Sequence, residues 1–205
     1  MPKNKKKPGR KARGGKKGNP FERAICKQLS LWWTGDKQDD VFWRTSTSGA
    51  RATSRSKKGQ RTFGQYGDVQ ATDPIGQPLL DIFTIELKRG YPKATASNAL
   101  DPSPKMKQQQ LIDFVKQAEE SSITAGSRFW MVIQKRDQRE TTILLPRYAV
   151  KKLPVDFKDT THLYLCIRDA PDYYNLIQMR LNDFLDQVHP VDIKSLHRKI
   201  RQGKL

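Results

Sequence analysis

The sequence predicts a mixed α/β domain, a central sheet flanked by helices, preceded by a disordered basic arm. Three observations carry that prediction. Apolar residues recur with a helical period near the N-terminus and again in the middle of the chain, with strand-like runs between and after them. Residues 129–133 (Phe-Trp-Met-Val-Ile) form a continuous apolar run of the kind found in buried strands. The elements also follow one another as helix, strand, strand, strand, helix, strand, an αβββαβ order in which a crossover helix returns the chain to the sheet. The 205 residues suffice for one such domain and are too few for two large ones.

Residues 1–18 hold nine Lys or Arg and no acid, half of the net charge of +18. With Gly and Pro interspersed, this stretch lacks the apolar content to fold alone and reads as a phosphate-seeking arm. The expected domain spans residues 19–190. Asn19-Pro20-Phe21-Glu22 has the form of a helix start, with Asn19 as cap, Pro20 at the first position and Glu22 at the third. Phe21, Ile25, Leu29 and Trp32 supply the apolar stripe of a helix running to about Trp33.

Residues 41–45 read as a short strand. The stretch from Arg44 to Gly67 then contains no acid, and Arg44, Arg51, Arg55, Lys57, Lys58 and Arg61 are spaced by Ser, Thr and Gly, which describes a basic loop. Residues 67–72 alternate as a strand, residues 73–78 form a turn, and residues 79–88 read as a longer strand, so the pair forms an expected β-hairpin. A helix is expected over 105–121, with Met106, Leu111, Phe114, Val115 and Ala118 on its apolar face. Further strands are expected over 128–134, 141–145 and 163–167, a helix over 181–188, and a basic C-terminal segment over 191–205.

The charge bounds the function. Lys and Arg that neutralise phosphates release condensed counterions, so a net +18 points to a nucleic-acid partner. The two cysteines, Cys26 and Cys166, lie apart in apolar-periodic stretches and read as core residues, without disulfide or zinc spacing. The N-terminus has no apolar signal region and no run approaches a membrane span of about 20 residues. The expected location is the cytoplasm, including association with the nucleoid.

One constellation carries chemistry. Glu86 and Lys88 are two apart and share one face of their strand. Asp68, on the other arm of the expected hairpin, can join them. Asp73 precedes a proline and suits the turn, and Asp81 would lie on the opposite face of Glu86's strand. Two carboxylates and an ammonium suit phosphodiester hydrolysis. Hard carboxylate oxygens hold Mg2+, which needs only one or two of them, and Mn2+ suits the same ligands. The alternative is a salt-bridged surface patch of little energetic weight.

Gly67-Asp68-Val69 and Ile85-Glu86-Leu87-Lys88, followed by a helix and a strand, resemble the PD-(D/E)XK nuclease superfamily over about residues 20–135. The resemblance implies a restriction-endonuclease-like core. It implies that Asp68, Glu86 and the Leu87 carbonyl bind the metal and that Lys88 positions the attacking water. Holliday-junction resolvases and some phage endonucleases in that superfamily add a Glu from the first helix, and Glu22 stands in that place; its other reading is the helix cap. The residue before Asp68 is Gly67 where the pattern has Pro. Arg44, the loop cations, Tyr66 and Arg89 are the expected nucleic-acid contacts. Trp32 and Trp130 read as core, and Gln108, Gln109 and Gln110 as solvated helix surface.

The function expected on these grounds is Mg2+-dependent DNA endonuclease. Its partner is DNA, duplex or branched, with a homodimer required if the substrate is a four-way junction. The competing readings are a non-catalytic basic nucleic-acid-binding protein and a site-specific restriction or homing endonuclease.

Overall fold

The computed structural model describes residues 14–45, 66–101, 103, 109–169 and 172–204. The chain begins with helix α1 (Gly14–Thr34), then strands β1 (Phe42–Arg44) and β2 (Val69–Ala71). A 3-10 turn (Pro74–Gly76) leads into the short helix α2 (Gln77–Ile82) and strand β3 (Phe83–Arg89). Helices α3 (Ala96–Leu100) and α4 (Gln110–Ala125) cross to strand β4 (Phe129–Lys135). Strand β5 (Thr141–Pro146), the single turn α5 (Arg147–Val150) and the long pair β6 (His162–Asp169) and β7 (Asp172–Arg180) follow. Helices α6 (Leu181–Gln187) and α7 (Pro190–Arg201) close the chain.

Five strands form a mixed sheet in the order β3-β4-β5-β7-β6, and β1 and β2 form a separate antiparallel pair. β3 and β4 are parallel, joined through α4, and the other neighbours are antiparallel. β4 is buried on both sides. Met131 and Ile133 face the α1, α6 and α7 layer, while Trp130 and Val132 face α4. This alternation gives three layers, helix–sheet–helix, with a core on each face of the sheet.

Several expectations change. Helix α1 begins at Gly14, so Asn19 lies inside it and residues 14–18 of the expected arm are helical. The rest of that arm, residues 1–13, lies outside the described residues. Phe21, Ile25, Cys26, Leu29 and Trp33 form the buried stripe, and Trp32 packs at its margin with its indole N–H donating to the carbonyls of Leu185 and Val188.

The expected strand over 79–88 divides. Its first part is helix α2, opened by Pro78 and braced by a Gln77-to-Asp81 hydrogen bond of 2.8 Å. Leu79, Leu80, Ile82 and Phe83 are apolar enough for either conformation, and periodicity does not separate the two in so short a run. Asp73 caps the preceding turn, its Oδ1 accepting from the Ile75 N–H at 2.9 Å.

The expected hairpin between the Asp68 and Glu86 strands is therefore replaced. β2 pairs with β1, Val69 opposite Arg44. The chain just before β2 touches β3 through one backbone–backbone bond, Asp68 N–H to the Ile85 carbonyl at 2.8 Å.

Finally, the second long helix runs over Gln110–Ala125, closed by Gly126 at φ +72°, a left-handed position that suits glycine. Residues 105–108 of its expected start lie outside the described residues. β7 was not expected from the sequence, and it makes β6 an outer strand, which leaves Cys166 exposed rather than in the core. The expected basic C-terminal segment is mostly helix α7, whose Ile193 and Leu196 are buried in the core.

Candidate active site

β3 is the outer strand of the five-stranded sheet, so one side of its backbone is open. The chain around Asp68 closes part of that edge. Asp68 N–H reaches the Ile85 carbonyl at 2.8 Å, and Asp68 Oδ2 accepts the Leu87 N–H at 2.8 Å. N–H and C=O of one strand residue lie on the same side, so the Leu87 carbonyl opens toward the same edge, beside the Asp68 carboxylate.

Gly67 makes this approach fit. Its φ is +71°, and a Cβ there would lie 2.6 Å from the Ile85 carbonyl oxygen and 3.0 Å from Thr84 Cγ2. Proline, with φ fixed near −65°, has no access to this conformation. The departure from the Pro-Asp pattern is thus a matter of backbone geometry.

Glu86 and Lys88 project to the α4 face. Glu86 is buried, 2% exposed. Its Oε2 accepts from Lys88 Nζ at 2.9 Å and from Gln117 Nε2 at 3.0 Å, and its Oε1 accepts from Ser121 Oγ at 3.1 Å. Lys88 Nζ also donates to Gln117 Oε1 at 2.9 Å and lies 5.5 Å from the Phe114 ring centre. One amide therefore clamps both charged groups. Burying a carboxylate is costly, and a buried ion pair offsets that cost only when the remaining lone pairs are satisfied. Both Glu86 oxygens are satisfied here.

The electrostatics bring in a third carboxylate. Burial holds the Glu86 carboxyl above its ordinary pKa, and the Asp68 charge pushes it further, against the opposing pull of Lys88 and Ser121. Glu22 on α1 is likewise raised, by burial first and then by Asp68, with Arg44 and Lys88 opposing. The buried Cys26 thiol is pushed up to about 12, chiefly by desolvation and then by Glu22 and Asp68. Asp68, Glu86 and Glu22 thus share one electrostatic neighbourhood with Lys88 and Arg44.

With α1 starting at Gly14, Glu22 lies well inside the helix and the capping role is removed. Its described partner is Arg44, 3.6 Å away. Among the described residues, no three acidic, His or Cys side chains close on one point to form a ready-made cage. Mg2+ does not require one, because it keeps several waters and uses one or two carboxylates. Crowded carboxylates with raised pKa values are a donor set that a divalent cation would relieve.

The structure brings together Asp68, Glu86, Leu87, Lys88, Glu22 and Arg44. Arg89 points away from Glu86 and pairs with Asp137 at 3.1 Å. Tyr66 is half-buried beside Gly67. Arg51, Arg55, Lys57, Lys58 and Arg61 lie outside the described residues, as does Gln108. Gln109 and Gln110 precede the turn of α4 that faces the site. Sequence reasoning missed Gln117 and Ser121. Their signal was available: they are four residues apart, so they share one side of a helix beside the otherwise apolar Phe114 and Ala118.

Comparison with known proteins bears on this geometry. Neither the curated proteins nor the solved structures give a match to the chain. A family model does, across residues 14–195, which takes in α1, the β3 edge, α4 and the whole sheet. The chain therefore belongs to the family described as phage putative PDDEXK endonuclease.

Proposed function

We propose that the protein is a divalent-metal-dependent DNA endonuclease that hydrolyses phosphodiester bonds at the open edge of β3. The observation that carries this reading is the Glu86–Lys88–Gln117 clamp beside Asp68, in which a buried carboxylate is kept above its ordinary pKa by its surroundings. Such perturbed groups gather at functional sites more than at structural ones. Asp68, Glu86 and the Leu87 carbonyl would hold the cation, Mg2+ or Mn2+, with Glu22 as a further carboxylate. When bound, the cation offsets charge on the phosphate and lowers the pKa of a nearby water.

The side chains do the rest. Gln117 and Glu86 fix the Lys88 ammonium, so it can orient a water and donate to the phosphate without searching rotamers. Gln117 and Ser121 in turn hold Glu86, which leaves its orientation independent of the ligand. Arg44, paired with Glu22 at 3.6 Å, would offer a guanidinium to the phosphate beside the carboxylates. The remaining cations of the 46–65 segment and of residues 1–13 supply the sequence-independent attraction for DNA.

The test is cleavage of linear duplex, single-stranded and four-way-junction DNA by the purified chain, with Mg2+ or with EDTA. Cleavage of DNA only in the presence of the cation is expected. Equal cleavage in EDTA, or none on any substrate with Mg2+ or Mn2+, refutes the proposal. A preference for the junction, together with a dimer in solution, would place the enzyme among resolvases.

A further inference from the structure

A cleft of about 430 Å³ opens on the far side of β3 from the Glu86 carboxylate, between α1 and the carboxyl ends of β3 and β4. Its volume lies within the roughly 300–1,000 Å³ typical of ligand pockets. One wall is apolar, from Pro20, Phe21, Ala24 and Ile25 of α1. The other carries two cations, Arg89 at the end of β3 and Lys135 at the end of β4. These strands are the parallel pair of the sheet, and crevices at the carboxyl ends of parallel strands are where open α/β sheets take ligands.

The cations are incompletely used. Lys135 makes no ion pair with a described residue. Arg89 gives one terminal nitrogen to Asp137 at 3.1 Å and packs over the Phe21 ring at 5.8 Å, and its Nε is buried with no hydrogen-bond partner among the described residues. The guanidinium has N–H donors beyond the one given to Asp137, and the Arg89 side chain is 27% exposed, so an anionic oxygen in the cleft would be favoured. An apolar wall with a cationic rim fits a group with a flat or apolar body and an anionic end.

We propose that this cleft holds one nucleotide of the bound DNA strand, its phosphate on Arg89 and Lys135 and its sugar and base against the α1 wall. The identity of the ligand rests on the nuclease reading; the cleft itself does not. Arg89 directly follows Lys88, and alternation on the strand sends their side chains to opposite faces. A DNA strand advances about 3.4 Å per nucleotide. A strand crossing the end of β3 would therefore have the cleft within a few nucleotides of the scissile phosphate. The cleft would fix the register of the strand relative to the reacting bond. The phosphate is either internal or a 5′ end, and the same contacts serve both.

The experiment measures binding of a short fluorescent oligodeoxynucleotide to the full chain in EDTA, with the strand bearing a 5′-phosphate or a 5′-hydroxyl. Two variants are used, Lys135→Ala, which removes a rim cation, and Ala24→Phe, which fills the cleft from an exposed helix position; unchanged circular dichroism confirms that they fold. Each is expected to weaken binding by about fivefold or more, and Lys135→Ala to lower the salt slope by about one counterion. A loss confined to the 5′-phosphorylated strand assigns the cleft to a strand end, and an equal loss on both assigns it to an internal nucleotide. Unchanged affinity in both variants overturns the proposal. Because cleavage is never read, that failure leaves the Glu86 site untouched, and a catalytically silent protein could still show the cleft occupied.

Discussion

Replacing Gly67 with alanine tests whether backbone geometry, rather than the Asp68 side chain alone, builds the site. The substitution adds one methyl group, two residues from β2. At φ +71° an L-residue bears a left-handed penalty of about 1–2 kcal/mol. The new Cβ would also sit 2.6 Å from the Ile85 carbonyl oxygen, a backbone atom that has no rotamer to escape into. Overpacking of this kind adds about 1–3 kcal/mol. The sum, about 2–5 kcal/mol, is a large share of the roughly 5–15 kcal/mol that stabilises a whole domain. The cheapest relief is local: the chain at Asp68 lifts off β3, breaking the bonds to Ile85 and Leu87, while the five-stranded sheet stays closed. Urea denaturation should show a loss at the low end of that range, because only the edge opens, and nuclease activity should fall by more than tenfold with Asp68 still present. Gly67→Pro should behave likewise. Wild-type stability and activity in Gly67→Ala would show that the approach of Asp68 to β3 does not depend on glycine at this position.

Three further outcomes follow from the same geometry. Glu86 is raised above its ordinary pKa, so its protonated form is favoured in the folded state; the metal-free protein should lose stability as pH rises through that raised pKa. The melting temperature of wild type minus that of Glu86→Gln should therefore become more negative from mildly acid to neutral pH, and a flat difference would contradict it. Adding Mg2+ or Mn2+ at neutral pH should raise the wild-type melting temperature and leave Asp68→Asn nearly unchanged, as scanning calorimetry would show. Gln117→Ala frees both Lys88 and Glu86, and should lower kcat by more than tenfold with little change in DNA affinity; a loss of affinity alone would mean that Gln117 serves binding rather than positioning.

Much of the fold was legible because its strongest signals are local. The stripe Phe21, Ile25 and Leu29, the doubly buried run of β4, and the helix over Leu181–Gln187 each follow from periodicity within one element. What was illegible depends on partners distant in sequence. Residues 79–88 hold apolar side chains that suit helix or strand, and only the packing of α2 against α7 selects the helix. Asp68 was expected near Glu86, but through the wrong pairing: the Asp68 charge acts on Glu86 because Gly67 lets the chain approach the β3 edge, not because the two arms form a ladder. β7 escaped notice because its alternation breaks where Leu176 and Ile177 are both buried and the polar Gln178 follows, held by Thr142 of β5 at 3.1 Å, a contact that sequence does not display. The grouping of Asp68, Glu86 and Lys88 was legible from spacing. The role of Gln117 was not, since a glutamine on a helix is ordinary until the strand beneath it is known.

If Glu86, held by Lys88, Gln117 and Ser121, serves hydrolysis of DNA, its charge must matter to the cleavage step itself. The most direct measurement is single-turnover cleavage of DNA by wild type and Glu86→Gln in Mg2+, with DNA binding measured in parallel. The glutamine keeps the shape and an acceptor for Lys88 but removes the charge a cation needs. Glu86→Gln is expected to fold, to bind DNA as wild type does and to cleave at least about a hundredfold more slowly, as loss of a group acting in the transition state requires. Cleavage by Glu86→Gln at the wild-type rate would contradict it.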